Sequence, residues 1–347
     1  MNLGAAFRRL CRERTGMRGA ADRGGTVADS WERAGRILGE AGLPPGDLVR
    51  VRPLTGGTYN TVEELQLADG SRYVLKVPPA QAVPGLRHER DLLVSEAEFY
   101  RAAATVGVTA PRVVAAVPGQ LLMTACPGGG WDDSLTAAEE RELRAELGRQ
   151  VALLHRVSGP GHGYPSGALG PLAADWRTAF TGMLDAVLDD ARRYRPWLPR
   201  PVEETARTLR SGYRALDAIT VPRLVHFDLW RGNILVDRSA GPPRIGGLID
   251  GERMFWGDPV ADFVSLALLG DMEKDEAFLA GYREAGGRVE FDTSTRLRLA
   301  LYRAYLYLIM LTETVPRAVD AGRLRWTRET VGPELVAALE EIDELDR

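Results

Sequence analysis

Apolar residues recur along this chain at two different periods, and the change from one to the other falls near residue 126. In Thr26–Ala41 (TVADSWERAGRILGEA) they fall at helical intervals and stop before Gly42, which predicts an amphipathic helix. Leu48–Val51, Thr61–Leu67 and Ser71–Val77 have the length and composition of short strands. Gly56-Gly57 and Asp69-Gly70 mark the turns between them, the second with hairpin chemistry. A helix is predicted over Glu89–Ala104, where Leu92, Glu96, Phe99 and Ala103 share one face. Arg112–Ala116 and Gln120–Met123 are the last two strands of this β-rich part.

Beyond Cys126-Pro127-Gly128-Gly129-Gly130 strand-like runs nearly vanish, and the glycine run is expected to form a hinge. Helices are predicted at Thr136–Arg156, Ala174–Arg193, Val202–Ala218, Val260–Leu269, Asp275–Glu284, Thr293–Thr314 and Gly332–Asp346. The pattern is that of an α+β fold. Residues 1–45 form an extension carrying the first helix, 46–125 a β-rich small lobe, and 126–347 a larger helical lobe. No fixed-period repeat or low-complexity tract points to a solenoid or a disordered chain.

Composition narrows the function classes. With 45% apolar and 27% charged residues the chain has ordinary globular composition. No apolar stretch approaches the roughly 18 to 20 residues that span a bilayer, so no membrane partner is expected. The Arg-rich start (MNLGAAFRRLCRERTGMRGAADRGG) lacks the apolar core of a secretory signal, and a cytoplasmic location is expected. Cys11 and Cys126 are too few for a disulfide framework or a cysteine zinc site. A net charge of −4 disfavours nonspecific nucleic-acid binding. Oligomeric state leaves no mark in the sequence.

The chemistry concentrates in Val225-His226-Phe227-Asp228-Leu229-Trp230-Arg231-Gly232-Asn233-Ile234-Leu235-Val236. Its spacing, His, Asp two residues on and Asn five residues further, matches the protein-kinase catalytic loop, and the roles follow from that match. Asp228 is the candidate base that accepts a hydroxyl proton, and Asn233 offers a neutral amide oxygen to a magnesium ion. Ile245-Gly246-Gly247-Leu248-Ile249-Asp250-Gly251-Glu252 then reads as an apolar strand ending in an acid, which makes Asp250 the second candidate magnesium ligand.

The runs HFDLWRGNILVD, LIDGE and GDPVADF, in this order, resemble the aminoglycoside phosphotransferase family of protein-kinase-like small-molecule phosphotransferases. The resemblance spans roughly residues 48 to 315 in organisation and implies a kinase-like two-lobed fold. Phe227 stands where that family usually has Gly, Trp230 where His is frequent, and Gly251 where an aromatic is usual. It implies that His226, Asp258 and Asp262 organise the catalytic loop. It also implies a magnesium-dependent transfer of the γ-phosphate of ATP or GTP to the hydroxyl of a small-molecule acceptor.

In the small lobe, Lys76 within Tyr73-Val74-Leu75-Lys76-Val77 fits a phosphate-contacting lysine. Glu96 is chosen as its ion-pair partner, with Glu89 on much the same face and Glu98 close by. Gly56, Gly57 and Thr58 could cover nucleotide phosphates with backbone N–H groups, and the nucleotide base is expected near Met123 to Cys126. His155 is read as a packing residue at a helix end. Acceptor-site candidates are Trp230, Trp176 and Trp256 together with Asp185 and Asp189, with buried packing the safer account for at least two of Trp131, Trp176 and Trp230. The acceptor expected first is an antibiotic of the nucleoside, macrolide or aminoglycoside type, with a preference against a polycation. The alternative is a metabolic kinase for a sugar, an amino alcohol or a ketosamine, and a non-catalytic nucleotide-binding pseudokinase ranks below both.

Overall fold

The computed structural model describes residues 27–54, 60–78 and 84–347. The turn residues Gly56, Gly57 and Thr58 and the Arg-rich start with Cys11 lie outside the described residues. Helix α1 (Val27–Glu40) buries Ala34, Ile37 and Leu38, one stripe at helical spacing. Five antiparallel strands make the first sheet: β1 (Leu48–Pro53), β2 (Thr61–Leu67), β3 (Arg72–Val77), β4 (Val113–Val117) and β5 (Gln120–Thr124). Their spatial order is β1-β2-β3-β5-β4, and α2 (Leu92–Ala104) links β3 to β4 in sequence.

Period-two alternation sorts this sheet between two cores. Leu65, Leu67, Leu75 and Leu122 pack with α1. Leu121 and Met123, on either side of Leu122, join the main core with Phe99 and Ala103 of α2. Because Leu75 belongs to the α1 side, its neighbour Lys76 projects toward α2, and β3 pairs it with Leu121.

Within the glycine run expected to form a hinge, two residues are held in a strand. Gly129–Gly130 forms β6; after β7 (Arg223–Val225) come β8 (Ile234–Asp237) and β9 (Arg244–Leu248), and the three-stranded order is β6-β8-β9. Gly128 has φ +91°, and a Cβ there would stand 2.3 Å from Val236 O, so both its backbone angle and its surroundings require glycine. The two-stranded sheet pairs β7 with β10 (Phe255–Gly257).

The helical part comprises α3 (Ala137–Leu154), α4 (Trp176–Tyr194), α5 (Val202–Ser211), α6 (Asp262–Leu266), α7 (Glu276–Glu284), α8 (Thr293–Thr312), α9 (Ala321–Trp326) and α10 (Gly332–Leu345). Thr136, Asp175, Asp275, Asp292 and Asp320 cap the helices they precede through their side chains. The helix expected over Val202–Ala218 stops being α-helical at Ser211 and continues as a 3-10 segment. There Gly212 fits against Leu297, Leu301 and Ile342. The segment Val260–Leu269 similarly resolves into a 3-10 turn and the short α6. α9 and the π-helical turn Thr327–Val331 were not expected, because RLRWTRETV has no apolar stripe at helical spacing.

α8 runs through the main core, with Leu301, Tyr302, Tyr305 and Leu308 fully enclosed. Among the described residues, no helix is long and apolar enough to cross a membrane. α3 and α7 meet backbone to backbone at two glycines. A Cβ at Gly281 would lie 1.9 Å from Ala145 O, and one at Gly148 would lie 2.1 Å from Phe278 O. Gly281→Ala must therefore push the helices apart, and an expected loss of about 2–3 kcal/mol follows. Gly182→Ala, within α4 and with nothing within 4 Å of the added carbon, is expected to gain about 0.5–1 kcal/mol. Urea unfolding midpoints at constant slope check both, and equal midpoints for the two variants would contradict this packing account.

Candidate active site

β3 delivers Lys76 to the seam between the first sheet and the strand that ends in Asp250. Its Nζ lies 2.6 Å from Glu96 Oε1 and 2.5 Å from Asp250 Oδ1, and its side chain is almost wholly enclosed. Burial works against the ammonium, but the Asp250 and Glu96 carboxylates outweigh it and hold the Lys76 pKa above its ordinary value. Of the three acids weighed for this pairing, Glu96 is the one bonded to Lys76. Glu89 bonds Arg317 and the Leu86 amide instead.

Tyr100, one turn after Glu96, closes the cluster. Its hydroxyl donates to Glu96 Oε1 at 2.9 Å and accepts from the Asp250 amide at 3.0 Å. Glu252 lies beside it and accepts from Asn60 Nδ2 at 3.2 Å. Burial, reinforced by Glu96 and Asp250 and opposed by Lys76, pushes the Glu252 carboxyl up to about 7. Sequence reasoning passed over Tyr100 and Glu252. The available signals were the i,i+4 spacing of Glu96 and Tyr100 and the position of Glu252 two residues after Asp250.

The loop formed by residues 226–233 leaves β7 and is fastened from below by Asp262. The buried Asp262 carboxylate accepts the amides of His226 at 3.0 Å and Phe227 at 2.7 Å, and His155 Nε2 lies 3.0 Å away. His155 is also 2.9 Å from the Tyr282 hydroxyl through Nδ1. His226 Nε2 is 2.9 Å from Ile249 O, an acceptor only, so this nitrogen carries the proton. Nδ1 is then free to accept the Asp228 amide at 3.2 Å. The loop's acid is thereby tied to the strand that carries Asp250. Asn233 donates from Nδ2 to Asp228 O at 2.8 Å and to Asp228 Oδ2 at 2.9 Å. With both amide hydrogens given to Asp228, the oxygen of Asn233 is the atom able to face a cation.

Two departures from the family pattern have structural reasons. Phe227 adopts φ +62°, a left-handed angle that glycine takes without cost and that costs another residue roughly 1–2 kcal/mol. Its ring offsets this by full burial beside Phe255 and Tyr305, at centroid distances of 5.1 Å and 5.7 Å. At Gly251 a Cβ would lie 2.3 Å from the Phe99 ring, so α2 fills the space an aromatic side chain would need.

A second charged group borders the loop. Arg253 bonds Glu313 at 3.0 Å and feels Asp228 among its neighbouring carboxylates, while Arg317 bonds Glu313 at 3.1 Å and also Glu89. Burial tends to raise the Glu89 carboxyl, but Arg317 foremost holds it down at about 2.

The remaining candidates are distributed differently. Asp258, buried, accepts from Arg298 Nε at 2.7 Å and Tyr302 at 2.8 Å. Trp176 is fully enclosed, donates to the Tyr302 hydroxyl at 2.7 Å and stacks on Phe255. Trp256 is likewise a core residue, lying over Gly159. Both are interior because β10 and α4 turn these faces inward, so neither is brought to an acceptor surface. Asp189 bonds Arg87 and Arg192 on the outside of α4, and Asp185 is exposed on the side toward Tyr213. Trp230 lies over Gly232 and borders a cavity of about 550 Å³ with Glu140, Arg144, Arg231 and Asp275. Met123 is buried in the sheet, and burial pushes the Cys126 thiol up to about 11. The amides of Thr124 and Ala125 donate to Arg112 O and Arg72 O, which engages them within the small sheet.

Comparison with known proteins gives this arrangement a context. Residues 50–302 match the model of the phosphotransferase enzyme family. Over 298 residues the chain is 29% identical to a protein of Lactiplantibacillus plantarum described as a probable ketoamine kinase, covering 81% of this chain and 95% of the relative. A solved structure described as a putative fructosamine-3-kinase of Thermobifida fusca superposes with a TM-score of 0.61 at 21% identity, covering 86% of this chain and 99% of the other. The streptomycin–ATP–APH(2'')-IIa ternary complex superposes with a TM-score of 0.57 at 18% identity, covering 92% and 99%. At these identities the two structures establish the shared fold.

Tyr100→Phe removes one hydroxyl that serves both acids around Lys76. The expected outcome is a loss of about 1–2 kcal/mol in stability and a rise in the nucleotide KM that exceeds any change in the acceptor KM. Steady-state kinetics with each substrate varied in turn checks this, and an effect confined to the acceptor KM would contradict it.

Proposed function

From its membership of the phosphotransferase enzyme family, a phosphotransferase acting on hydroxyl groups, we propose that the chain moves the γ-phosphate of ATP or GTP to a hydroxyl of a ketosamine. The observation that carries the phosphotransfer reading is the meeting of two bonded pairs. Lys76 joins Glu96 and Asp250 on one side, and Asn233 holds Asp228 on the other. A fixed ammonium suits the phosphates, and a carboxylate held by an amide and anchored through His226 suits an attacking hydroxyl. Asp228 orients that hydroxyl and takes its proton, so positioning supplies most of the rate and no covalent enzyme intermediate is needed.

Magnesium fits this donor set. One carboxylate, Asp250, and one amide oxygen, from Asn233, are too few to cage a structural ion but suit one that keeps water and phosphate oxygens as ligands. Among the described residues no group of three His, Cys, Asp or Glu side chains is arranged to hold a metal by itself. The ion would supply neutralisation of phosphate charge.

The ketosamine reading is supported by the ketoamine-kinase relative, which the chain matches over 95% of its length. The site's surroundings argue in the same direction. A polycationic antibiotic needs unpaired carboxylates for its ammonium groups, whereas Asp189, Glu340 and Glu341 are bonded to Arg87, Arg200 and Arg303. A large flat antibiotic needs exposed aromatic faces, whereas Trp176 and Trp256 are buried. A small polyhydroxylated acceptor carrying one amine requires neither.

Two measurements test the proposal. Nucleotide turnover is expected with a fructosamine-type ketosamine and not with kanamycin-like, macrolide or nucleoside compounds under matched conditions. Transfer to an antibiotic alone would overturn the acceptor class, and nucleotide turnover with no acceptor in the panel would shift it to another sugar or amino alcohol. Asp228→Asn is expected to lower kcat by about 10² to 10⁴ with nucleotide affinity kept, whereas Asp250→Asn is expected to weaken magnesium-dependent nucleotide binding. Loss of acceptor affinity alone in both variants would contradict this division of roles.

A further inference from the structure

α2 carries Glu96, yet no side-chain cap fixes where this helix starts. Its N-cap residue, Asp91, sits at φ +57° and makes no side-chain cap hydrogen bond. The position of Glu96 along the helix axis thus depends, beside the core packing of Phe99 and Ala103, on what holds the residues just before the helix, and these are gripped from the helical part of the chain at two points.

The first grip is on Arg87. Asp190 of α4, only 1% exposed, accepts the Arg87 amide at 2.8 Å and its Nε at 3.3 Å, and Asp189 takes Nη2 at 2.7 Å. Tyr194 adds a hydrogen bond of 2.8 Å to Gly85 O. The second grip is on Glu89, whose carboxylate accepts the Leu86 amide at 2.8 Å and pairs with Arg317 just beyond the end of α8. From Arg317 the charges alternate through Glu313 to Arg253, at 3.1 Å and 3.0 Å. Arg253 belongs to the 3-10 turn that directly follows Asp250. Both carboxylates that hold Lys76 are thus attached to one chain of charges, Glu96 through the approach to α2 and Asp250 through its own turn. These side chains are mostly withdrawn from water, so removing one member strands the next without a partner, and the chain acts as a unit.

We propose that Arg317 and Asp190 are positioning residues for nucleotide binding, which hold the approach to α2 through Glu89 and Arg87 so that Glu96 meets Lys76. They touch neither nucleotide nor acceptor in this role. They lie at least 94 residues beyond Glu96 in sequence, and neither belongs to a motif that carries the phosphotransfer chemistry. The inference rests on the proposed nucleotide role of Lys76 and Glu96.

The test is a double-mutant cycle on the affinity for ATP with magnesium, measured by calorimetry with GTP in parallel. Arg317→Met and, separately, Asp190→Asn are each expected to raise Kd about tenfold in the otherwise unchanged protein, and Arg317→Lys to recover most of that loss. In the Glu96→Gln background the same substitutions are expected to change Kd less than about twofold, because the residue they act through is already neutral. Full additivity in the two backgrounds, or an unchanged Kd in the first, overturns the inference. Should Arg317→Met not fold, the Glu89→Gln/Arg317→Met pair, which strands no charge, and Arg87→Met carry the same cycle. Lys76→Met separates the two levels. If it leaves nucleotide affinity unchanged, the nucleotide reading of the site fails; if it weakens binding while the cycle is additive, only the positioning role fails.

Discussion

A buried ammonium between two carboxylates is the constraint on which the site depends. Lys76 has almost no access to water, and a charge in that position is tolerable only while its partners stay in place. One partner comes from α2 and the other from the segment after β9, so the pair joins the first sheet to the segment that carries Asp250. Tyr100 links the Glu96 carboxylate to the Asp250 backbone amide with one hydroxyl. The cost of leaving any of these groups unpaired favours a single arrangement of sheet, helix and Asp250 segment.

The loop that carries Asp228 follows the same principle with a different hub. Asp262 collects two consecutive loop amides and a histidine, and in doing so stabilises Phe227 in a left-handed conformation that its type disfavours. The loop gains an anchored Asp228, and the aromatic core gains a ring. Phe99 against Gly251 is the corresponding exchange on the other side of the site, where the helix contributes bulk and the strand end gives it up.

Away from these hubs, arginine governs the electrostatics. Asp189 of α4 and Glu340 and Glu341 of the C-terminal helix are bonded to arginines on neighbouring elements. The tryptophans that could have formed an aromatic wall pack inward. The surroundings of Asp228 thus combine one committed carboxylate with a neighbouring Arg253–Glu313–Arg317–Glu89 chain.

Local periodicity and short spacings were sufficient to predict the main elements, because each has a cause within a few residues. Thr61–Leu67 alternates, Thr293–Thr312 repeats at helical intervals, and Asp228 and Asn233 are five residues apart whatever surrounds them. The predictions failed where the cause was distant. Gly129 and Gly130 looked flexible, but Leu235 and Val236, more than a hundred residues on, make them a strand. Trp176 looked available in sequence and is enclosed by Phe255 and Tyr302. Glu96, by contrast, is chosen over Glu89 from its place on one face with Leu92 and Phe99, and the structure adds that Arg317 withdraws Glu89 to a pairing of its own. Sequence by itself determined the residue types and close spacing of His226, Asp228, Asn233 and Asp250, since both are chain-local. Tertiary structure alone decided which charges neutralise one another and which aromatic faces meet water, because both depend on elements that only folding brings together.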